Sequence, residues 1–260
     1  MENKSIPVLG TLILNGPHWL KRQIESIDYP VENYLIINND GSGELDDYLN
    51  DLISKPHPYI KKFKLANMPY NIGVAPGWNM IIKSFINSPY WIIANHDVSF
   101  TKGFLKEMNE AAQDDDVGLV HGKEGDYKIG SFDLFLIKDW VIQSHGLFDE
   151  NFYPCYGEDS DYIMRLANNP VKRVWNLEHE YLHGESTEYY DTGMNTKKDS
   201  PELADKIEKS NLRNWEYLFE KWGPGWRSVE PWEHPFNIEG LDPRTTYFDL
   251  EFCRDKHLGI

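Results

Sequence analysis

Short apolar runs alternate with amphipathic stretches through the first half of the chain. Ile6–Leu14 (IPVLGTLIL) is almost continuously apolar and stops at Asn15-Gly16-Pro17, the pattern of a strand buried on both faces and closed by a turn. Asn33–Asn38 (NYLIIN), Ile60–Leu65 and Tyr90–Ala94 (YWIIA) repeat that pattern. Between them, Trp19–Ile27 carries its apolar residues at Trp19, Leu20, Ile24 and Ile27, which is helix spacing. Leu45–Ile53, a segment from about Gly77 within Gly73–Ser88, and Phe104–Gln113 read as helices too. Buried strands alternating with helices predict an α/β protein whose mostly parallel sheet is covered on both faces. In such sheets ligands bind beyond the carboxyl ends of the strands. Two polar clusters, Asn39-Asp40-Gly41-Ser42 and Asn95-His96-Asp97, fall at predicted strand ends.

The second half has a different texture. Gly118–His121, Phe132–Ile137 and Val171–Trp175 read as strands, and Glu180–His183 precedes Gly184. Tyr162, Ile163 and Leu166 predict a helix whose first turn holds Glu158, Asp159 and Asp161. Acidic groups at a helix N-terminus complement its dipole. Three of them within four positions exceed what a cap requires, and crowding raises the proton affinity of at least one unless a cation is near.

Composition narrows the function classes. With 26 Lys plus Arg against 42 Asp plus Glu, the net charge is −16, which argues against a general nucleic-acid binder. The same excess sets a problem for any phosphate-bearing ligand, and a metal cation would solve it. The 40% hydrophobic fraction is that of a globular protein. No run approaches the length of a membrane span, and the N-terminal residues do not read as a signal peptide. Cys155 and Cys253 do not form a CxxC pair, so the expected setting is reducing and cytoplasmic.

Taken in order, the opening strand with Thr11, IINNDGSG (36–43), YNIGVAPGWN (70–79), WIIANHDVSF (91–100), GLFDENF (146–152), GEDSDYIMRL (157–166) and His183 in YLHGES resemble the family 2 glycosyltransferases of the GT-A fold. The resemblance spans roughly residues 5–185. It implies a catalytic domain over 1–185 and an aromatic-rich C-terminal extension over 186–260 packed on it. The implied reaction is an inverting, metal-dependent transfer of a sugar from a nucleotide diphosphate to a hydroxyl of a glycan or glycoconjugate. A UDP-sugar is the default donor, with dTDP- or GDP-sugars as competitors.

The resemblance also assigns roles. Asp159 becomes the base that takes the acceptor's proton, with Glu158 and Asp161 on the acceptor side; Asp161 has the alternatives of capping the helix or pairing with Arg165. Asp97 and His183 become ligands of Mn²⁺ or Mg²⁺, a cation that would neutralise the departing diphosphate. Thr11, Asn39, Asp40, Asn71, Gly73, Asn79 and Asn95 become donor-binding residues, while Trp78 reads as core.

Asn stands at 39 and 95 where the family pattern has acids. That departure motivates a second reading, a GT-A module that binds nucleotide sugar or glycan without efficient turnover; the Glu158-Asp159 pair and His183 argue against it. A nucleotidyltransferase would want a basic Gly-rich loop after the first strand, and Asn15-Gly16-Pro17-His18 does not supply one. A serine hydrolase would want a G-x-S-x-G elbow, which is absent. In the extension, Pro201–Trp222 reads as one or two helices. Its aromatic residues, among them Tyr189, Tyr190, Trp215, Tyr217, Trp222, Trp226 and Trp232, are read as packing that holds the extension down.

Overall fold

The computed structural model describes residues 5–123, 132–168, 173–184, 197 and 200–222. The elements run β1 (Ile6–Ile13), α1 (Pro17–Glu25), β2 (Val31–Asn38), α2 (Asp46–Ser54), β3 (Phe63–Asn67), α3 (Val74–Ser84), β4 (Tyr90–Asn95), β5 (Val98–Phe100), α4 (Phe104–Ala111), β6 (Val117–Lys123), β7 (Leu134–Lys138), α5 (Asp139–His145), α6 (Glu158–Asn168), β8 (Arg173–His183) and α7 (Pro201–Trp222).

The strands lie in the order β3-β2-β1-β4-β7-β6-β8-β5. β1 pairs in parallel with β2 and β4, β2 with β3, and β6 with β8, whereas β7 is antiparallel to both β4 and β6. The carboxyl ends of β1, β2, β4 and β8 therefore face one edge. The amino end of β7 and of the short β5 face the same edge, since Ala94 pairs with Leu134 and Val98 with His183.

Two apolar layers sandwich the sheet. Ile6, Leu9, Tyr34, Ile36, Ile92 and Leu136 point to one side, against Leu20 and Ile24 of α1 and Leu105 and Met108 of α4. Val8, Leu35, Ile37, Trp91, Ile93 and Phe135 point to the other, against Trp78, Ile81 and Ile82 of α3 and Val141 of α5. In β2, β4 and β7, alternate residues feed opposite layers. Strands buried on both faces must read as continuous apolar runs, and these do. Each such side chain contributes roughly 1.5–3 kcal/mol by leaving water.

Several boundaries differ from the expectations. The described part of the expected 171–175 strand, from Arg173 on, and Glu180–His183 belong to one strand, β8, with register irregularities where it passes β6, while 171 and 172 lie outside the described residues. α3 begins at Val74, ahead of Gly77, because Gly73 adopts φ +90° and turns the chain directly into the helix. The short β5 and α5 were not anticipated; three residues and seven residues are too few to establish a period. Pro201–Trp222 is one helix.

α7 is joined to the body by buried charge. Lys221 Nζ lies 2.6 Å from both Asp149 Oδ2 and Asp161 Oδ1, and all three side chains are buried. Arg165 donates to Asp161 Oδ2 at 2.5 Å, Trp222 Nε1 donates to Asp161 Oδ1 at 2.8 Å, and Tyr217 OH donates to Asp149 Oδ2 at 2.8 Å. Leu218 and Trp222 pack on Phe152 and Met164. Tyr217 and Trp222 thus do hold α7 down, while Tyr189, Tyr190, Trp226 and Trp232 lie outside the described residues.

Candidate active site

The strand ends converge on a cavity of about 250 Å³. Its walls come from Leu12–Leu14 at the end of β1, Asn39 after β2, Asn71, Gly73 and Val74 at the start of α3, Asn95–Asp97 at the end of β4, Asp133 before β7, Pro154–Tyr156 before α6 with Glu158 and Asp159 in its first turn, His183 at the end of β8, and Lys197.

Asn39, Asn71 and Gly73 form one corner. Asn71 Oδ1 accepts from the Gly73 amide at 2.9 Å, Tyr153 OH donates to the Asn71 carbonyl at 2.8 Å, and Asn39 Nδ2 donates to the Gly73 carbonyl at 3.3 Å. A Cβ at Gly73 would stand 2.9 Å from the Tyr153 ring and 3.1 Å from the Pro154 carbonyl, so only glycine fits. The Asn39 amide explains one departure from the family pattern: a carboxylate there would face the Gly73 carbonyl without a proton to donate. Asn39 Oδ1 is buried with no partner among the described residues, as is Trp78 Nε1. Trp78 packs edge-on against Phe135 and Phe148, so it is core on one side and cavity wall on the other.

The opposite wall is acidic. The Asp97 carbonyl accepts from the Gly184 amide at 2.8 Å, which ties the end of β4 to the end of β8. His183 lies between two carboxylates, with Nε2 3.2 Å from Asp97 Oδ1 and Nδ1 3.1 Å from Asp133 Oδ2. Glu158 and Asp159 open α6 and line the same cavity. Burial pushes the Asp159 carboxyl up from its ordinary value and the Asp133 charge adds to this, while a bond from the Ser160 amide pulls the other way.

A turn of unusual backbone presents Asp159. Tyr156 has φ +75° and Gly157 φ +99°, and a Cβ at Gly157 would meet Phe152 at 2.6 Å. The buried Asn214 of α7 donates to the carbonyls of both Cys155 and Tyr156 at 2.8 Å. Lys197 Nζ stands 4.7 Å from the centre of the Tyr156 ring.

Asn39, Asn71, Gly73, Asn95, Asp97, Glu158, Asp159 and His183 thus meet at one cavity. Four other expected residues lie elsewhere. Thr11 is fully buried and donates to the Ala94 carbonyl at 2.8 Å, joining β1 to β4 instead of touching a donor. Asn79 is fully buried in α3, accepts from the Phe148 amide at 2.9 Å and donates to the Phe148 carbonyl and Glu150 at 2.8 Å, which pins the GLFDENF segment. Asp161 has no exposure and is saturated by Arg165, Lys221 and Trp222, so it offers nothing to an acceptor. Asp40 is half-buried, outside the cavity lining, and accepts from Ser42 Oγ at 2.6 Å.

Asp133, Lys197, Tyr156 and Trp78 were not expected at the site. Asp133 leaves one trace in the sequence, a single acid between Phe132 and Leu134 at the start of an apolar strand. Lys197 leaves none.

Comparison with known proteins bears on the fold. The fold matches that of a mannosyltransferase from Pyrobaculum calidifontis in complex with GDP-Man and Mn²⁺, with a TM-score of 0.57, 15% identity, and coverage of 91% of this chain and 76% of that one. It also matches GalNAc-T7 with UDP, GalNAc and Mn²⁺, with a TM-score of 0.58 at 11% identity over 99% of this chain and 55% of that one. This chain has the GT-A fold. S. aureus TarS 1-349 shares the GT-A fold too, with a TM-score of 0.53, 11% identity, and coverage of 98% and 78%. In sequence, a galactofuranosyl glycosyltransferase from Leishmania donovani is 36% identical over 52 residues, which are 20% of this chain and 12% of that protein. No family model matches the chain. Within the GT-A frame, the cavity lies at the edge where the carboxyl ends of the parallel strands meet.

Proposed function

We propose that the chain is an inverting glycosyltransferase that moves a sugar from a nucleoside diphosphate donor to a hydroxyl of a glycan or glycoconjugate. The observation that carries the reading is the placement of a raised-pKa carboxylate, Asp159, in the same cavity as the Asp97–His183 pair. Those are the two chemical needs of the reaction. One group must take the acceptor's proton as its oxygen attacks the anomeric carbon. Another must hold the charge that develops on the departing diphosphate.

The donor set suits a divalent cation. Among the described residues no group of three or more His, Cys, Asp or Glu side chains is arranged to hold a metal ion alone. Two adjacent ligands of a six-coordinate ion, each about 2.1 Å from it, stand about 3.0 Å apart. The 3.2 Å between Asp97 Oδ1 and His183 Nε2 fits that pair. Asp97 and His183 would therefore hold Mn²⁺ or Mg²⁺ together with diphosphate oxygens, and the cation would supply Lewis-acid stabilisation of the leaving group. The P. calidifontis and GalNAc-T7 structures, which contain Mn²⁺, support the choice of metal.

The remaining steps belong to the chain's own side chains. Asn39 and Asn71 orient the nucleoside end, and the buried Asn39 Oδ1 awaits an N–H donor, which both uracil and guanine carry. UDP-sugars are the favoured donors and dTDP- and GDP-sugars the competitors, thymine carrying the same ring N–H as uracil. Asn95 faces the ribose and sugar. Glu158, one residue before the base, faces the acceptor. The catalytic body extends over 1–185, and α7 of the extension completes the turn that presents Asp159. A panel of nucleotide sugars incubated with Mn²⁺, read for slow donor hydrolysis and for transfer to glycan acceptors, tests the reading. Hydrolysis or transfer by the wild-type chain, abolished in Asp159→Asn with donor binding kept, is expected. Donor binding without turnover in the wild type would favour the non-catalytic module instead.

A further inference from the structure

We infer that Asp133 is a positioning residue that fixes His183 for metal binding by holding the imidazole's Nδ1 side and leaving Nε2 to the Asp97 side. This rests on the metal reading proposed above and adds a residue to it.

The backbone places Asp133 with little freedom. Its carbonyl accepts from the Asn95 amide at 2.7 Å, immediately before the Ala94–Leu134 pairing of β4 with β7. Its Oδ2 is 3.1 Å from His183 Nδ1 and accepts from Tyr181 OH at 3.3 Å. Tyr181 and His183 are two residues apart on β8, so their side chains leave the same face of that strand. Asp133 thus bridges β7 to one face of β8, while Asp97 stands on the other side of the ring. The imidazole is 2% exposed and Asp133 is 19% exposed.

A neutral imidazole presents a lone pair on only one nitrogen, and the partner of the other nitrogen decides which. A carboxylate on Nδ1 keeps the proton there and frees Nε2 as a ligand. It also raises the basicity of that ligand. Without Asp133, the Asp97 carboxylate would draw the proton toward the nitrogen the cation needs.

A double-mutant cycle on the full chain separates this role from a merely structural one. The readout is Mn²⁺ affinity in the presence of UDP and, separately, GDP, followed by the electron paramagnetic resonance signal of free Mn²⁺. Asp133→Ala is expected to weaken Mn²⁺ binding by about 10- to 100-fold. Asp133→Asn, whose amide oxygen keeps an acceptor on the Nδ1 side, is expected to lose less, and it serves if the alanine variant folds poorly. In a His183→Ala background, Asp133→Ala should cost nothing further. Wild-type affinity in both Asp133 variants would overturn the inference. So would an equal additional loss in the His183→Ala background, which would make Asp133 a direct ligand or a purely structural group. If the wild-type chain binds no Mn²⁺ with either nucleotide, the metal reading itself fails and takes this inference with it.

Discussion

At the scale of single residues, the site depends on where protons and lone pairs are held. Asp159 is the residue on which turnover should depend most. Asp159→Asn should lower kcat by about 10²- to 10⁴-fold, with donor affinity unchanged by calorimetry. Because burial, with the Asp133 charge, raises the Asp159 carboxyl above its ordinary value of 3.8, the base is protonated at a higher pH than a surface aspartate would be. Activity should therefore fall on the acid side along a limb displaced upward from 3.8. At Asn39 the side chain is chosen for donation: Asn39→Asp should cost roughly 1–3 kcal/mol by placing a carboxylate against the Gly73 carbonyl, read as a lower unfolding midpoint.

At the scale of elements, α7 braces α6. Lys221 neutralises two buried carboxylates, and Arg165 shares one of them. Burial works against the charge on Asp161, but Arg165 and Lys221 outweigh it and hold the carboxyl below its ordinary range. The stabilisation this provides is complete above the unfolded value of 3.8 and is lost as the pH falls through the lower folded value. Lys221→Met leaves Asp149 and Asp161 short of a cation and should cost about 3–5 kcal/mol, measurable by urea unfolding. Asn214→Ala should act differently. It frees the Cys155 and Tyr156 carbonyls and the turn before Asp159, so kcat should fall by more than the unfolding midpoint would suggest. The elements legible in the sequence include the apolar runs β1, β2 and β4 and the periodic helices α1, α2, α4 and α6, while α7 was legible as helical but not as a single helix. Asp161 was legible only in part: it pairs with Arg165, one of the alternatives its spacing offered, and not with the acceptor side of the cavity. Its sequence neighbours, Glu158 and Asp159, line the cavity, but the helix turns Asp161 away from them toward Lys221, a partner 60 residues on that no local pattern could reveal.

At the scale of the whole molecule, the net charge of −16 resolves into distinct uses. Asp97, Asp133, Glu158 and Asp159 make one wall of the cavity, Asp149 and Asp161 lock α7, and exposed pairs such as Lys206–Glu202 and Lys209–Asp205 contribute little. Among the described residues no helix is long and apolar enough to cross a membrane. The order of motifs made the sheet and most of the cavity readable, because the motifs end strands or open the helices α3 and α6 at the edge where the strands end. Asp133 and Lys197 were not readable, since they reach the cavity through tertiary placement and carry no motif. An acidic cavity should bind a diphosphate only together with a cation. UDP and Mn²⁺ at about 100 times their dissociation constant should stabilise the fold by about 2.7 kcal/mol, and either one without the other should do far less. The most direct test of the central claim is the anomeric configuration of the product, read by proton NMR during turnover with an accepted nucleotide sugar and Mn²⁺. Direct displacement assisted by Asp159 predicts a product of inverted configuration from the wild-type chain and none from Asp159→Asn. A product of retained configuration, or undiminished transfer by Asp159→Asn, would contradict it.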